Sequence, residues 1–264
     1  METTIFILKL IITPLIVAGV TWIARKWGES IGGLLIGLPL TSGPVSVFLA
    51  VEQGPHFATN AANSAILGLI PVTAFYITYI QSAKHFSWYL SALYAICAYF
   101  VVVVAISVFP INIYFTTIVV PLILLLGTMT LGKRMEEGTV VPPPAWDLPA
   151  RMILATGLLV LITGAANTLG SKWSGLLSPF PIFTFVMVTF AHRQGGADAA
   201  KRFIQGVSLG LFSYVAFFLV VRSLVEKADL WIVYLLAAMA ALVVNGLFLG
   251  FQVWRKQALL IRMK

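Results

Sequence analysis

The chain is poor in charge, in acids above all, and in cysteine. Of 264 residues, nine are Asp or Glu and one is Cys. The lone Cys97 excludes an intramolecular disulfide and, inside an apolar run, reads as a small core residue. None of the carboxylates (Glu2, Glu29, Glu52, Glu136, Glu137, Asp147, Asp198, Glu226 and Asp229) falls in the middle of an apolar run, which argues against a buried carboxylate proton relay. The sequence has no paired acids within an apolar run, no His/Cys/Asp/Glu set at metal spacing and no Ser-His-Asp set that can be assembled. A Gly-x-x-x-x-Gly-Lys phosphate loop is missing too. An enzyme is therefore not expected, nor a cofactor, nor a bound metal.

What is abundant is apolar length. Hydrophobic residues make up 60% and charged residues 10%, with a mean hydropathy of +0.98, far outside the range of soluble domains. The chain predicts an all-α polytopic membrane protein with about nine transmembrane helices, at 5–25, 31–52, 57–81, 86–108, 111–132, 149–170, 173–193, 199–222 and 229–252. The first stretch is span-length and lacks a basic n-region or a cleavage site, so it reads as a span. The stretch 132–149, with its charges and three consecutive prolines, reads as an extended linker. The basic end at 253–264 suits an interfacial tail.

The net charge of +8 would fit nucleic acid, but no solvated basic domain is there to bind it. Counted by loop, thirteen of the seventeen Lys and Arg fall on one side. Only Lys9, Lys172, Arg222 and Lys227 fall on the other. That bias predicts the N-terminus outside and the C-terminus in the cytoplasm. Trp22, Trp27, Trp88, Trp173, Trp231 and Trp254 lie near span ends and read as interfacial belts.

Sliding the chain against itself by 142 positions sets Gly28 on Gly170, Gly33-Leu34-Leu35 on Gly175-Leu176-Leu177, Pro39 on Pro181, Gly54 on Gly196 and Gly68 on Gly210. Glycines and prolines in register indicate an internal duplication. Each unit holds four helices. A fifth joins them, so an odd number of crossings inverts the second unit. The predicted domains are a first repeat at 1–110, a linking helix and cytoplasmic linker at 111–148, a second, inverted repeat at 149–252, and the tail.

Inside these repeats, GLLIGLPLTSGP (33–44) and GLLSPFPIFTF (175–185) place helix breakers in spans 2 and 7. One reading is two kinked helices. The other is two interrupted helices whose freed backbone groups line a site where the repeats meet, as in many secondary transporters. On the second reading the substrate-binding candidates are Pro39, Thr41, Ser42, Pro44, Pro181 and Thr184, flanked by Asn63 and Gln205.

Two polar clusters border the spans. Glu52, His56 and Asn60 surround the span 2–3 turn, and His192, Arg193, Asp198, Lys201 and Arg202 the span 7–8 turn. They read as gating or headgroup residues of two vestibules, or as solvated turn residues that set topology. Lys9 and Arg151 are expected to snorkel to headgroups. Asn167 and Asn245 are candidate interhelical hydrogen-bond donors.

Over 175–206 the pattern Gly175-Leu176, Phe180-Pro181, Gly196 and Arg202 resembles the GlpM-like family of small bacterial inner-membrane proteins with four spans. The first repeat keeps Gly33, Leu34, Pro39 and Gly54, with Leu38 for the Phe and Asn60 for the Arg. The likeness implies a bacterial inner-membrane protein, a fused pair of such units, and a link to envelope polysaccharide (alginate) production. It supplies no site residues.

Three functions follow as expectations. The first is a secondary transporter of a small polar or anionic solute working by alternating access. The second is a translocase or accessory subunit for lipid-linked envelope precursors. The third is a structural partner in an envelope-synthesis complex. The expected partners are the lipid bilayer, the solute and a second copy of the chain in a homodimer.

Overall fold

The computed structural model describes residues 2–40, 42–108, 115–132, 144–169 and 180–262, with side chains left aside at 2–9, 162–169 and 255–262. All regular structure among them is helical. The helices are α1 (Glu2–Trp27), α2 (Glu29–Ile36), α3 (Ser42–Gln53), α4 (Pro55–Leu67), α5 (Leu69–Ala83), α6 (Trp88–Ser107), α7 (Val120–Thr130, entered through a π turn at Phe115–Val119), α8 (Asp147–Leu169), α9 (Ile182–Leu224) and α10 (Leu230–Arg262).

Among the described residues five helices are long and apolar enough to cross a membrane: Leu10–Trp27, Pro55–Ala83, Trp88–Ser107, Ile182–Leu224 and Leu230–Trp254. The shorter Thr116–Thr130 is apolar as well. This is the make-up of a membrane protein. α9 is two arms, because Gly196 interrupts it at φ 73°, ψ −172°. Gly54 caps α4 in nearly the same conformation, φ 87°, ψ 170°. Only glycine enters this region readily, so both corners are set by the residue type. Pro55 follows at the first turn of α4, where its missing N–H costs nothing. Asp229 starts α10 by accepting from the Trp231 and Ile232 N–H groups at 3.0 and 3.2 Å. α10 then continues without interruption into the basic tail.

Helix directions follow from the contacts. α2 and α3 run parallel to the second arm of α9, since Gly33 lies on Phe203, Gly37 on Gly210 and Gly43 on Phe217. α4 runs antiparallel to that arm. There His56 meets Glu226, and Asn63 meets Arg222 four residues earlier. The first arm of α9 runs parallel to α5, with Thr184 against Tyr76 and His192 against Tyr79.

The core is aromatic where these elements meet. Phe75, Tyr79, Tyr99 and Phe203 are fully buried, while residues such as Val101, Leu161 and Leu247 face outward. Outward apolar side chains are expected where lipid is the solvent. Two expectations are corrected here. Cys97 is exposed, because α6 turns Ala95 and Tyr99 inward and Cys97 away from them. Arg151 does not snorkel. It is 7% exposed and ion-paired to Asp147 four residues back on α8.

Candidate functional site

The interruption after α2 begins at Pro39, which lacks an N–H. The Leu38 N–H tightens onto Leu35 O at 3.1 Å, which strips Leu34 O of its helical donor. Asn245 of α10 replaces it, donating from Nδ2 to Leu34 O at 3.1 Å and to Ser213 Oγ at 3.3 Å. The expected interhelical role of Asn245 is thus filled, at a backbone group that lipid would leave unsatisfied. Asn167, Thr41 and the stretch 170–179, which holds Pro179 and Ser178, lie outside the described residues or side chains.

α2 reaches α9 at glycine. A methyl group on Gly33 would overlap the Phe203 carbonyl, on Gly206 the Ser30 carbonyl, and on Gly37 or Gly210 the opposing backbone. Gly33-x-x-x-Gly37 and Gly206-x-x-x-Gly210 interlock, which is how small residues let membrane helices approach closely.

Past the interruption, the first residues of α3 and α9 carry hydroxyls to the facing helix. Ser42 lies near the Tyr214 hydroxyl, and Thr184, buried at 3% exposure, bonds the Tyr76 hydroxyl at 3.2 Å. Gly43 packs on Phe217, with the ring 3.3 Å from where a Cβ would stand. Phe185 packs on Phe75 with centroids 6.4 Å apart. The second contact is the first displaced by 142 positions in both partners. Phe180, just ahead of Pro181, stacks among Phe75, Tyr99 and Phe100. Tyr99 is fully buried near Tyr214, and among the described residues its hydroxyl has no hydrogen-bond partner.

The π turn leading into α7 and the helix's other end are each held by an amide. At the start, Thr116 Oγ1 donates to Asn63 Oδ1 at 2.8 Å. At the end, Gln205 Nε2 donates to the Leu131 and Gly132 carbonyls at 3.4 and 3.3 Å. Asn63 and Gln205 are again 142 positions apart.

A charged network closes one end. Asp147, fully buried, accepts from Arg25 Nη2 at 2.6 Å, from Arg151 Nε at 3.0 and 3.1 Å, and from Gln194 Nε2. Burial alone would raise its pKa. The Arg151 charge, with hydrogen bonds from Arg25, Arg151 and Gln194, outweighs burial and holds Asp147 below the usual carboxylate range. Arg202 pairs with Glu29 at 3.2 Å and is itself buried. Arg193 lies over the Trp146 ring at 5.1 Å.

At the opposite end, His56 Nδ1 meets Glu226 Oε1 at 3.2 Å and Asn60 meets His56 Nε2 at 3.4 Å. Hydrogen bonding from Thr59, then His56, keeps Glu226 below its ordinary pKa. The predicted vestibule residues thus separate into two ends. His56, Asn60 and Asn63 gather at one; His192, Arg193, Asp198, Lys201 and Arg202 lie toward the other. Glu52, Pro44 and Asp198 are exposed, and Pro39, Ser42 and Pro181 half-buried.

Sequence reasoning passed over Tyr76, Tyr99 and Tyr214, whose hydroxyls no pattern marks. It also passed over the Gly33/Gly37 and Gly206/Gly210 pairs, whose four-residue spacing was a legible signal. No protein-family model, curated protein or solved structure matches the chain.

Proposed function

We propose that the protein is a secondary transporter of a small polar or anionic solute, built from two inverted four-helix repeats that alternate access to a site between them. The observation that carries this reading is reciprocity. Gly43 on Phe217 and Phe185 on Phe75 are one contact in two copies, and Asn63 and Gln205, equivalent residues, hold opposite ends of the α7 segment. A two-fold axis through the middle of that linking helix accounts for both. α4 and the second arm of α9 are equivalent in the 142-residue register and run antiparallel, as inversion requires. Gly54 and Gly196 share one backbone conformation in that register.

Such an axis brings the interruption after α2 and the start of α9 to the same level, with Ser42 and Thr184 as equivalent hydroxyls. Tyr76, Tyr214 and the unpartnered Tyr99 complete a polar patch in an aromatic setting, and a buried hydroxyl without a partner is a group left for a guest or a water. These residues carry no charge, so the centre binds by hydrogen bonding and the charged residues act at the two ends. The proposal includes a bacterial inner membrane, N-terminus outside and C-terminus cytoplasmic.

A second reading, translocation of lipid-linked envelope precursors, draws on a groove open along the helices and lined by Thr128, Met129, Leu131, Gly132, Gln205, Leu209 and Phe251. Its walls are apolar, and Gln205 marks one polar end.

The test is solute flux in proteoliposomes, with labelled phosphate, succinate and glycerol as probes. Ser42→Ala and Thr184→Val should each cut flux about tenfold and by similar factors, since the two are equivalent. Flux unchanged in Pro39→Ala and Pro181→Ala would remove the interruptions from the mechanism. Flip of a labelled lipid without solute flux would favour the second reading.

A further inference from the structure

Among the described residues, Arg222 is a cation without a counter-charge. Arg222 lies in the last turn of α9, within an apolar candidate span. Its Nη1 donates to Asn63 Oδ1 at 3.0 Å and to Thr116 Oγ1 at 3.3 Å. Both acceptors are neutral. Among the described residues no carboxylate pairs with it, and the nearest acid along the chain, Glu226, is engaged by His56. Among the described residues Nε and Nη2 have no acceptor, yet they are not sealed in. The Asn63 amide nitrogen likewise has no acceptor.

We infer that Arg222 and Asn63, with Thr116 fixing them, form an oxyanion-binding site at the end of the α7 segment where α4, α7 and α9 converge. Three facts carry it. A guanidinium in the last turn of an apolar span, half-buried and held by neutral groups without an opposite charge, is placed as a functional group would be. Two side chains from other helices grip one corner of it, whereas a snorkelling arginine reaches away from the protein. The edge left open is the planar fork that meets a carboxylate or phosphate with two parallel hydrogen bonds. Asn63 adds a third donor. The inference rests on the transporter reading and deepens it, by giving the solute a carboxylate or phosphate group that is captured on the outer side.

The experiment reads binding, so it stands apart from flux. Thermal unfolding of the full chain is followed in detergent and in nanodiscs, at constant ionic strength, with inorganic phosphate, succinate or chloride. Phosphate or succinate should raise the wild-type melting temperature by roughly 3 °C at ten times Kd, with chloride inert. Arg222→Gln should lose the shift, and Arg222→Lys most of it, because an ammonium lacks the fork. Asn63→Asp supplies an internal carboxylate next to Arg222. It should abolish the shift while keeping or raising the baseline, which separates loss of the site from loss of the fold.

A shift that persists in phosphatidylglycerol nanodiscs identifies a free anion. One produced only by phosphatidylglycerol, and lost in Arg222→Gln, identifies a headgroup phosphate and overturns the solute assignment. Equal shifts in wild type, Arg222→Gln and Asn63→Asp would overturn the site itself. If anions bind and no probe is transported, the transporter reading fails while the site stands.

Discussion

Replacing Gly210 with alanine tests the glycine seam between α2 and α9. A Cβ there would lie 2.8 Å from Gly37 Cα and 3.1 Å from the Leu34 carbonyl carbon, and would overlap Leu34 O. These are backbone atoms of the segment around α2, so no flexible side-chain end is available to yield. α2 must move, at an overpacking cost of about 1–3 kcal/mol. Moving it also strains the Asn245 bond to Leu34 O, worth about 0.6 kcal/mol on average for an interhelical hydrogen bond in a membrane protein. Against this, alanine is favoured over glycine in a helix by about 1 kcal/mol. The balance is a destabilisation of about 0.5–2.5 kcal/mol. Gly246 is the control. It is helical too, but a Cβ there meets nothing within 4 Å, so Gly246→Ala keeps only the propensity gain. Reversible unfolding in mixed micelles, titrated with denaturing detergent, should place the two variants on opposite sides of wild type. Gly210→Ala as stable as Gly246→Ala would refute the close approach of α2 to α9, and with it the packing on which the interruption depends.

Three further outcomes are expected. Asn245→Ala should destabilise by about 1–2 kcal/mol, because Leu34 O and Ser213 lose a donor in a region without water, whereas Cys97→Ser on the outward face should leave stability near wild type. Asp147 has a depressed folded pKa, so its contribution is complete above its unfolded value of about 3.9 and fades as pH falls through the folded value; wild type should lose stability below about pH 4. Asp147→Asn should lack that acid-side loss and be weaker at pH 7 by about 3 kcal/mol, since Arg151 stays buried without its partner; a pH profile shared by the two would exclude Asp147 as the titrating group. In a Cys97→Ser background, a membrane-impermeant maleimide should label His56→Cys in intact cells and Asp198→Cys only after permeabilisation; both labelled from one side would end the inverted arrangement, since these residues are equivalent in the 142-residue register.

How much of this was legible beforehand differs by residue. The all-helical, membrane-type make-up was, because lipid requires long apolar runs and internally satisfied backbones, and both requirements are written in composition and length. The corners at Gly54 and Gly196 were legible as glycines in register, and Pro39 and Pro181 as places where a helix loses a donor. Arg151 was misread because its neighbours in sequence are apolar; its partner Asp147 lies one turn back, and Arg25 and Gln194 come from elsewhere. Cys97 was misread because α6 has so little amphipathic contrast that the pattern does not tell its inner face from its outer one.

The sequence by itself determined the class of protein and the places where helices bend or stop, since each of these is a local property of backbone and side-chain chemistry. Only the tertiary structure decided what satisfies the interruption, which glycines touch, and which groups hold Arg222. Asn245 reaches Leu34 across 211 residues, and Arg222 finds Asn63 across 159. Contacts at such separations depend on how helices pack against one another, which local pattern does not encode.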